Sequence, residues 1–438
     1  MSFVSIIISI VILGILIIVH EFGHFIVARK NGIFVKEFSI GFGPRIVSHT
    51  CKSGMLFSWK AIPFGGSCIM LGQFEDEDAG TENEQSYDSK SVWARISVTL
   101  AGPFFNFLLA WILSVIVIGT MGFDKPYVTV VAEDSPAYAA GLREGDLITD
   151  FDGEHVNFGK EIYLHSYLNP IQDDSRSIHL VWKRDGQRYE ADITPAQYTY
   201  YSLGFSYYAN EEKAELAEVT PGSPMEAAGI RSADVITAIN GTPIETGADL
   251  ENYFSSNEVT AEPIEIDYSS HGGEFHAVVQ PVEAHTYRMG FTYNTANEKA
   301  TVGETLGYSF AEMRYEILSV FKSLGILFSG RGSLDMVSGP VGIVEIVGAT
   351  YDASVSAGFL VTLMNLLSLM IMLSANLGVL NLLPIPALDG GKLILLIIEA
   401  IMRKPVPKKV EGIVTMVGAG LLFLLMIVVL VNDVTKFF

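Results

Sequence analysis

Cysteine and basic residues are both scarce in this 438-residue sequence. Only Cys51 and Cys68 are present, which is too few for a disulfide framework, and we expect two ordinary buried thiols. Lysine and arginine total 28 against 49 aspartate and glutamate residues, for a net charge of −21. Residues 127–300 hold 29 acidic and 10 basic residues, a balance of −19. Because no basic face is available to neutralise phosphates, we exclude nucleic acid as a partner.

Charge is almost absent from four stretches that are each long enough to cross a bilayer, which takes about 20 residues. With their flanks, the predicted membrane spans are 1–30, 92–123, 355–388 and 411–432. The first span lacks the basic start and the cleavage site of a signal peptide, so we expect it to be retained. The uncharged stretch around the third span is long enough to contain a break or an approach segment.

Basic residues orient these spans, because short cytoplasmic loops carry an excess of lysine and arginine. Six basic residues follow the first span and four lie between the third and fourth spans. They are Arg29, Lys30, Lys36, Arg45, Lys52 and Lys60, and then Arg403, Lys404, Lys408 and Lys409. Residues 31–90 and 389–410 are therefore predicted to be cytoplasmic. The second of these segments is predicted to be a loop or a short helix. Both termini and the acidic block then face outward.

Two segments between the spans have recognisable patterns. Residues 34–65 alternate imperfectly around a Lys-Ser-Gly turn and predict a β-hairpin, which an acidic loop at 74–88 follows. The segment 300–352 is helical in pattern but interrupted by charges, which indicates an amphipathic helix on the outer membrane surface. A further crossing there would move the end of the third span to the wrong side of the membrane.

An ionisable cluster interrupts the first apolar stretch, although one charged residue at bilayer depth costs about 2.5–3.5 kcal/mol. His20 and His24 are four residues apart, so on a helix they share one face and can bind one ion. Glu21 lies on an adjacent face, from which its carboxylate can take a proton from a zinc-activated water. Metal binding therefore accounts for the cost of these three residues.

A hydrolytic zinc site needs a third protein ligand and one open position. The best candidate is Asp389, because Pro384 and Pro386 break the third helix and Asp389 then emerges on the side where the histidines lie. Glu399 is the fallback ligand, although a solvated or interfacial charge is the simpler interpretation of that residue.

These motifs resemble the site-2 protease family, in particular its bacterial branch, which includes the regulator of sigma-E protease. The resemblance is carried by HEFGH in the first span, ARKNGIFVKEFSIGFGP after it, AGPFFN in the second span and NLLPIPALDGG in the third. It implies an intramembrane zinc metalloprotease in which His20, His24 and Asp389 bind one zinc ion. Glu21 would be the catalytic acid and base.

The resemblance also implies the substrates and the location. The substrates would be single-span membrane proteins already shortened on the outer side, such as an anti-sigma factor or leftover signal peptides. The location would be the inner membrane of a bacterial cell. The activity would then be regulated intramembrane proteolysis.

Four residues of the third span are candidates for substrate binding. Asn376 and Asn381 can hydrogen-bond an unwound substrate backbone, or they can form helix–helix hydrogen bonds worth roughly 0.6 kcal/mol. Pro384 and Pro386 belong to the same pattern. Peptide hydrolysis needs an extended substrate, so an edge of the predicted hairpin could hold it by strand addition. The alternative is a hairpin that only covers the site.

The second span contains three residues that could support the site. Gly102 and Pro103 permit close packing against the first helix, and Asn106 is a polar residue within the same motif. We expect these residues to be structural rather than catalytic.

The acidic block contains an internal repeat. Residues 134–153 and 222–241 align at an offset of 88 with ten identities, which predicts two copies of a small α/β domain, 127–213 and 214–295. The pattern SPAxxAGLxxGD resembles bacterial PDZ domains, which bind chain ends or strands along a sheet edge. The second copy has Ala233 where the first has Gly145, so equal binding is in doubt. Ligand binding and steric gating both fit, and we favour exclusion of substrates with large outer domains.

The sequence thus predicts a polytopic α-helical membrane protein with about four transmembrane helices, a cytoplasmic-side β-hairpin and two extracytoplasmic α/β PDZ-like domains. The expected partners are the lipid bilayer, single-span substrates and peptides that bind the PDZ-like domains. Two other functions are weighed. A metal or proton transporter would also contain intramembrane His and Asp, but commonly shows inverted repeats of spans. A PDZ scaffold with an inert anchor leaves the four-residue cluster without a use.

Overall fold

The computed structural model describes residues 2–73, 84–209, 212–330 and 337–435. The chain divides into two compact units, Met1–Lys125 with Ala296–Phe438, and Pro126–Thr295. The acidic loop predicted within 74–88 falls largely in residues 74–83, outside the described part of the chain.

The first unit opens with a helix, a pair of long strands and a second helix. They are α1 (Phe3–Lys30), β1 (Val35–Thr50), β2 (Leu56–Met70) and α2 (Val92–Met121). Serine caps start both helices: Ser2 accepts a hydrogen bond from the Ser5 backbone and Ser91 from the Ala94 backbone. Such caps satisfy one of the amide groups that have no partner inside the helix.

The β1–β2 hairpin turns at the predicted Lys-Ser-Gly, where the Cys51 amide donates to the Met55 carbonyl at 2.8 Å. Each strand bends, so residues 37–40 pair on one side with 56–59 and on the other with 66–69. Residues 45–50 pair with 56–60. The hairpin is therefore a four-row sheet in the order 45–50, 56–60, 35–40 and 66–70. It extends beyond the predicted 34–65, and the additional row, 66–70, is an edge.

A buried carboxylate joins three of these rows. Glu37 accepts two hydrogen bonds from Arg45, at 2.8 and 3.2 Å, and one from Ser58. Lys60 lies 3.4 Å from the same carboxylate. The Arg45 guanidinium is the largest cause that holds the pKa of Glu37 down at about 2. The Glu37 carboxylate therefore stabilises the bent arrangement of these three rows.

Acidification is expected to loosen this hairpin selectively. The pKa of Glu37 in the folded chain is about 2, against an ordinary value of 4.5, so its stabilising contribution is complete above pH 4.5 and is lost as the pH falls towards 2. Hydrogen exchange of residues 35–60 should accelerate over this range in the wild type. Glu37→Gln should exchange faster already at pH 7 and should lose that part of the pH dependence. An unchanged pH profile in the variant would contradict the role of Glu37.

The second unit is a run of short strands and helices in two similar sets. The first set contains β3 (Val128–Val131), α3 (Pro136–Ala139), β4 (Leu147–Phe151), β5 (Glu154–His155), α4 (Gly159–Leu168), β6 (Ile178–Arg184), β7 (Gln187–Ile193) and β8 (Ala196–Ser202). The second contains β9 (Phe205–Tyr207), β10 (Leu216–Val219), α5 (Pro224–Ala227), β11 (Val235–Ile239), β12 (Thr242–Pro243), α6 (Gly247–Ser256), β13 (Ile264–Ser270) and β14 (Gly273–Val279). The unit ends with β15 (Val282–Arg288) and β16 (Phe291–Tyr293), which pair with β8 and β3 of the first set. The four-stranded sheets β5-β4-β6-β7 and β12-β11-β13-β14 have the same order, as the repeat predicts.

The boundary between the two copies differs from the predicted 213/214. β9 pairs with β10, whereas the equivalent partner of β3 is β16, from the far end of the unit. The apolar cores agree with this pairing: one runs from Leu203 to Val279, and the other combines Val128 to Ile193 with Met289. The second copy is therefore inserted within the first, because each small sheet needs one further strand to cover its core.

Two helices follow the second unit, α7 (Val302–Phe328) and α8 (Pro340–Val355). Thr301 and Glu304 form a capping box at the start of α7, the usual N-terminal signal of a helix. α7 packs against α2, and its exposed side chains include Leu306, Phe310 and Phe321. The single helical segment predicted for 300–352 is thus two helices in the described residues.

The remaining helices are α9 (Phe359–Leu382), α10 (Asp389–Met402) and α11 (Lys408–Thr435). Among the described residues, four helices are long and apolar enough to cross a membrane, namely α1, α2, α9 and α11. The long stretch predicted as the third span is broken after α8 and again at residues 383–388. Pro384 lies in the second break, since its ring cannot continue the helix.

Candidate active site

The three predicted metal ligands meet at one point. His20 Nε2 and His24 Nε2 are 3.2 Å apart, and Asp389 Oδ2 lies 3.1 Å from the first and 3.3 Å from the second. These are the three His, Cys, Asp or Glu side chains that cluster with metal-ligand spacing among the described residues. Ligand atoms at the usual 2.0–2.1 Å from a tetrahedral zinc ion are about 3.3 Å apart. The spacing therefore fits zinc.

The ring nitrogen of His24 that faces away from Asp389, here called its outer nitrogen, determines whether the other ring nitrogen can bind a metal. His24 Nδ1 donates a hydrogen bond to the Val98 carbonyl on α2 at 2.8 Å. A carbonyl only accepts, so the proton is on Nδ1 and the lone pair of Nε2 points at Asp389. Such a partner for the second ring nitrogen is typical of metal-binding histidine.

Asn106 on α2 makes the equivalent contact to His20. Its amide group lies 3.1 Å from His20 Nδ1, and its Oδ1 is buried without a hydrogen-bond partner. The two ends of an amide exchange by a half-turn. The orientation that turns the oxygen to His20 lets Nδ1–H donate and leaves Nε2 free. Asp389 Oδ2 is also buried without a hydrogen-bond partner, so three acceptor atoms converge in an arrangement that suits a metal cation.

Gly102 allows α2 to approach both imidazoles. A Cβ atom at this position would lie 2.7 Å from His20 Nε2 and closer still to His24 Nε2. Real side chains do not pack at such distances, so the position needs glycine. Together with Val98 and Asn106, one helix thus sets both histidines.

A non-helical turn brings Asp389 to the histidines. α9 ends at Leu382, and the chain runs through Ala387, whose φ is +76°, before α10 begins at Asp389. A Cβ at Gly390 would collide with the carbonyl oxygens of Leu382 and Leu383. The glycine therefore lets the turn fold back on the start of α10, which places the carboxylate in the first turn of that helix.

A cavity of about 290 Å³ surrounds the three ligand atoms. Glu21 lines it beside the edge row 66–70 of the hairpin, and a Cβ at Gly66 would be 3.2 Å from Glu21 Cγ. Within the described ranges, the Glu21 carboxylate has no hydrogen bond or ion pair. It is therefore free to exchange protons with a molecule in the cavity.

The remaining predicted residues divide between the cavity and its surroundings. Asn381 lines the cavity, whereas Asn376 is not among the described residues that line it. Five residues of α-helix turn a side chain by about 140°, which separates the two amides. Pro386 contacts α11, since a Cβ at Gly418 would overlap it. Glu399 pairs with Arg95 instead of lying among the metal-binding atoms.

Three cavity residues carry no signal in the sequence. Tyr87 and Lys392 line the cavity, with the Lys392 ammonium 4.3 Å from the centre of the Tyr87 ring. Cys68 also lines it, and burial raises the pKa of its thiol to about 12. Each is an ordinary residue in its local pattern, and only the fold brings it to the cavity. Both cysteines are free thiols, as predicted, but only Cys68 is buried as expected, whereas Cys51 is partly exposed.

The fold and the cavity define a multi-pass membrane protein in which a His–His–Asp cluster with metal-ligand spacing and a carboxylate without a hydrogen-bond partner among the described residues line one cavity. The sequence matches the family described as peptidase family M50 over residues 8–425. The chain belongs to this family, and it is an intramembrane zinc metalloprotease. The transporter and scaffold alternatives are therefore set aside.

Relatives extend over nearly the whole chain. The regulator of sigma E protease of Haemophilus influenzae is 30% identical and covers 97% of this chain and 97% of its own length. The zinc metalloprotease RasP of Geobacillus kaustophilus is 29% identical and covers 99% and 98%. Among solved structures, the HtrA3 PDZ domain bound to a phage-derived ligand covers 21% of this chain and 94% of its own, at 16% identity and a TM-score of 0.17.

Proposed function

We propose that this protease cleaves single-span membrane proteins at one zinc ion held by His20, His24 and Asp389. The observation that supports this most directly is the convergence of three acceptor atoms, all within 4.8 Å of one another, beside the unpaired carboxylate of Glu21. Three protein ligands with one open position are the arrangement of hydrolytic zinc sites.

In this proposal Glu21 carries the protons of the reaction. Zinc held by His20, His24 and Asp389 would supply Lewis-acid chemistry that polarises the substrate carbonyl and activates water as a nucleophile. The Glu21 carboxylate accepts the proton of the attacking water and then delivers it to the leaving nitrogen. Val98 and Asn106 hold the imidazoles in the tautomer that leaves each Nε2 free.

The edge row 66–70 would hold the substrate as an added strand. This row lines the cavity next to Glu21, and its outer side has no strand partner among the described residues. Strand addition supplies main-chain hydrogen bonds and keeps the scissile peptide extended. Asn381, in the same cavity, can hydrogen-bond the unwound substrate.

The location and partners follow from charge and from the relatives. Basic residues at the end of α1, after it and before α11 favour cytoplasmic loops. In this proposal both termini and residues 126–295 lie on the outer side of the inner membrane. The name of the Haemophilus influenzae relative favours a regulator of a sigma factor as a substrate. We assign the repeated unit to peptide binding or to the exclusion of unshortened substrates.

Metal analysis of the purified protein tests the ligand assignment. The wild type should retain about one zinc ion per chain, whereas His24→Ala and Asp389→Ala should lose it, since two ligands hold zinc poorly. Asp352→Asn, an exposed carboxylate on α8, is the matched control and should retain the ion. Retention of zinc by Asp389→Ala would reject the assignment.

Proline substitutions test the strand-addition site. Alternate residues of an edge strand direct their N–H groups outward, so one of Ser67→Pro and Cys68→Pro should remove a hydrogen bond to the substrate without breaking the sheet. A lost hydrogen bond of about 1 kcal/mol should raise KM roughly fivefold, with zinc retained. Proline at Val47 or Ser48, in the opposite edge row, should leave KM unchanged. Unchanged KM in both cavity-side variants would exclude strand addition here.

A further inference from the structure

An ion pair between α2 and α10 lies outside the catalytic cavity. Arg95 Nη1 donates to Glu399 Oε2 at 3.1 Å, and Nη2 donates to Oε1. The side chains are only 12% and 13% exposed. Such a bidentate ion pair fixes the relative orientation of the two side chains, because two N–H groups of the guanidinium donate to the two oxygens of the carboxylate in one plane.

Arg95 lies on the same face of α2 as the residues that set the histidines. Arg95, Val98, Gly102 and Asn106 are spaced at i, i+3, i+7 and i+11, which keeps them on one side of a helix. Val98 and Asn106 contact the outer nitrogens of the two imidazoles, and Gly102 lies against their metal-facing atoms. One stripe of α2 therefore carries the contacts to both histidines and the contact to α10.

α10 has no continuous helical connection that would set its direction. Residues 383–388 separate it from α9, and Ala387 there has a φ of +76°. Asp389 is the first residue of α10 and Glu399 lies ten residues later, about 15 Å along the helix axis. A contact at Glu399 therefore controls how the rigid helix rotates and tilts, and hence where the carboxylate at its other end lies.

We propose that the Arg95–Glu399 pair is a positioning device for the metal site. It locks α10 to the stripe of α2 that sets His20 and His24, so that Asp389 completes the ligand set. This inference rests on the proposed ligand role of Asp389. Replacing a buried ion pair often changes stability little, whereas the pair can specify one arrangement, and here the specified arrangement is that of the third ligand.

The test measures metal binding by the metal-free full-length protein in detergent. Zinc affinity is determined by competition with a chromophoric chelator, and Co²⁺ is bound in parallel because its visible absorption reports the ligand geometry. Glu399→Gln and Arg95→Gln should each weaken zinc binding about tenfold, the lower end for supporting residues of metal sites. The double variant should be no weaker than either single variant, because both changes remove one interaction. The Co²⁺ spectrum should change in all three.

A second ion pair provides the matched control. Lys408 and Asp88 are 2.5 Å apart, but their side chains are 49% and 37% exposed. Lys408→Gln should leave zinc affinity and the Co²⁺ spectrum as in the wild type. Arg95→Lys, which keeps the charge but not the fork, should fall between wild type and Arg95→Gln and serves as the informative variant if the glutamine variants misfold.

The outcomes separate this inference from the proposed function. Suppose that Arg95→Gln, Glu399→Gln and Arg95→Lys all bind zinc within threefold of the wild-type affinity, and that Asp389→Ala abolishes binding. This combination would overturn the positioning role but not the ligand assignment. Wild-type affinity in Asp389→Ala would instead overturn the ligand assignment. Equal losses in the Lys408→Gln control would also overturn the inference, because the effect would then be a general loosening of the protein.

Discussion

Glu21→Gln is expected to lower kcat by about 10²–10⁴-fold, the range contributed by general acid–base catalysis. Glutamine has nearly the shape of glutamate but cannot accept a proton at neutral pH. Glu21 lines the cavity that contains His20, His24 and Asp389, and its carboxylate has no hydrogen bond or ion pair among the described residues. The measurement is cleavage of a tagged single-span substrate without its outer domain, by the purified variant.

Zinc content and KM are the controls for this variant. Both should remain close to the wild-type values, because Glu21 is neither a proposed ligand nor part of the edge row. Asp352→Asn is the comparison carboxylate, since Asp352 is exposed on α8 and does not line the cavity. Cleavage by Glu21→Gln at the wild-type rate would exclude Glu21 as the proton carrier.

Gly102→Ala is expected to weaken zinc binding by about 100-fold or more, the upper end of the range for groups that support metal ligands. The added methyl group would lie 2.7 Å from His20 Nε2 and closer to His24 Nε2. Both imidazoles must then move away from Asp389, or α2 must move away from α1. Zinc competition measurements on the purified variant give the loss directly.

Gly119→Ala on the same helix is the matched control. A Cβ there would meet only Thr305 Cγ2, at an ordinary 3.5 Å, so zinc affinity should be unchanged. The two variants have the same change in helix propensity, which stabilises an α-helix by roughly 1 kcal/mol. If Gly102→Ala binds zinc as tightly as Gly119→Ala, the close approach of α2 to the histidines is not required.

The local patterns predicted most of the helical part of the molecule. Uncharged stretches predict the four apolar helices, because apolar length is the requirement for crossing a bilayer. The spacing of His20 and His24 places both on one helical face. Pro384 and Pro386 predict the break before Asp389. Each of these inferences depends on neighbours within a few residues along the chain.

The hairpin illustrates the limit of such patterns. Its turn is predicted correctly, but its end is placed at residue 65 instead of Met70. Two consecutive glycines, Gly65 and Gly66, are a local signal for the end of a strand. In the fold they instead allow the strand to bend and continue as the fourth row of the sheet. The missing row is the one that lines the cavity. Bending of this kind depends on pairing with β1, which local sequence does not encode.

The repeated unit shows the same limit at a larger scale. The repeat at an offset of 88 residues correctly predicts two similar copies, but the boundary depends on which strand completes each sheet. β16 belongs with β3 although 160 residues separate Val131 from Phe291. A contiguous division of the chain cannot represent a copy whose last strand lies beyond the other copy.

The amino-acid order alone determined the four apolar helices, the pair of histidines with their glutamate, the proline break before Asp389 and the duplicated segment. All of these follow from spacing along one chain. Only the tertiary structure decided that Asp389 reaches both imidazoles, that α2 contacts them through Gly102 and Asn106, and that Glu399 pairs with Arg95. These contacts join residues 78 to 369 positions apart, and their formation depends on the packing of whole helices.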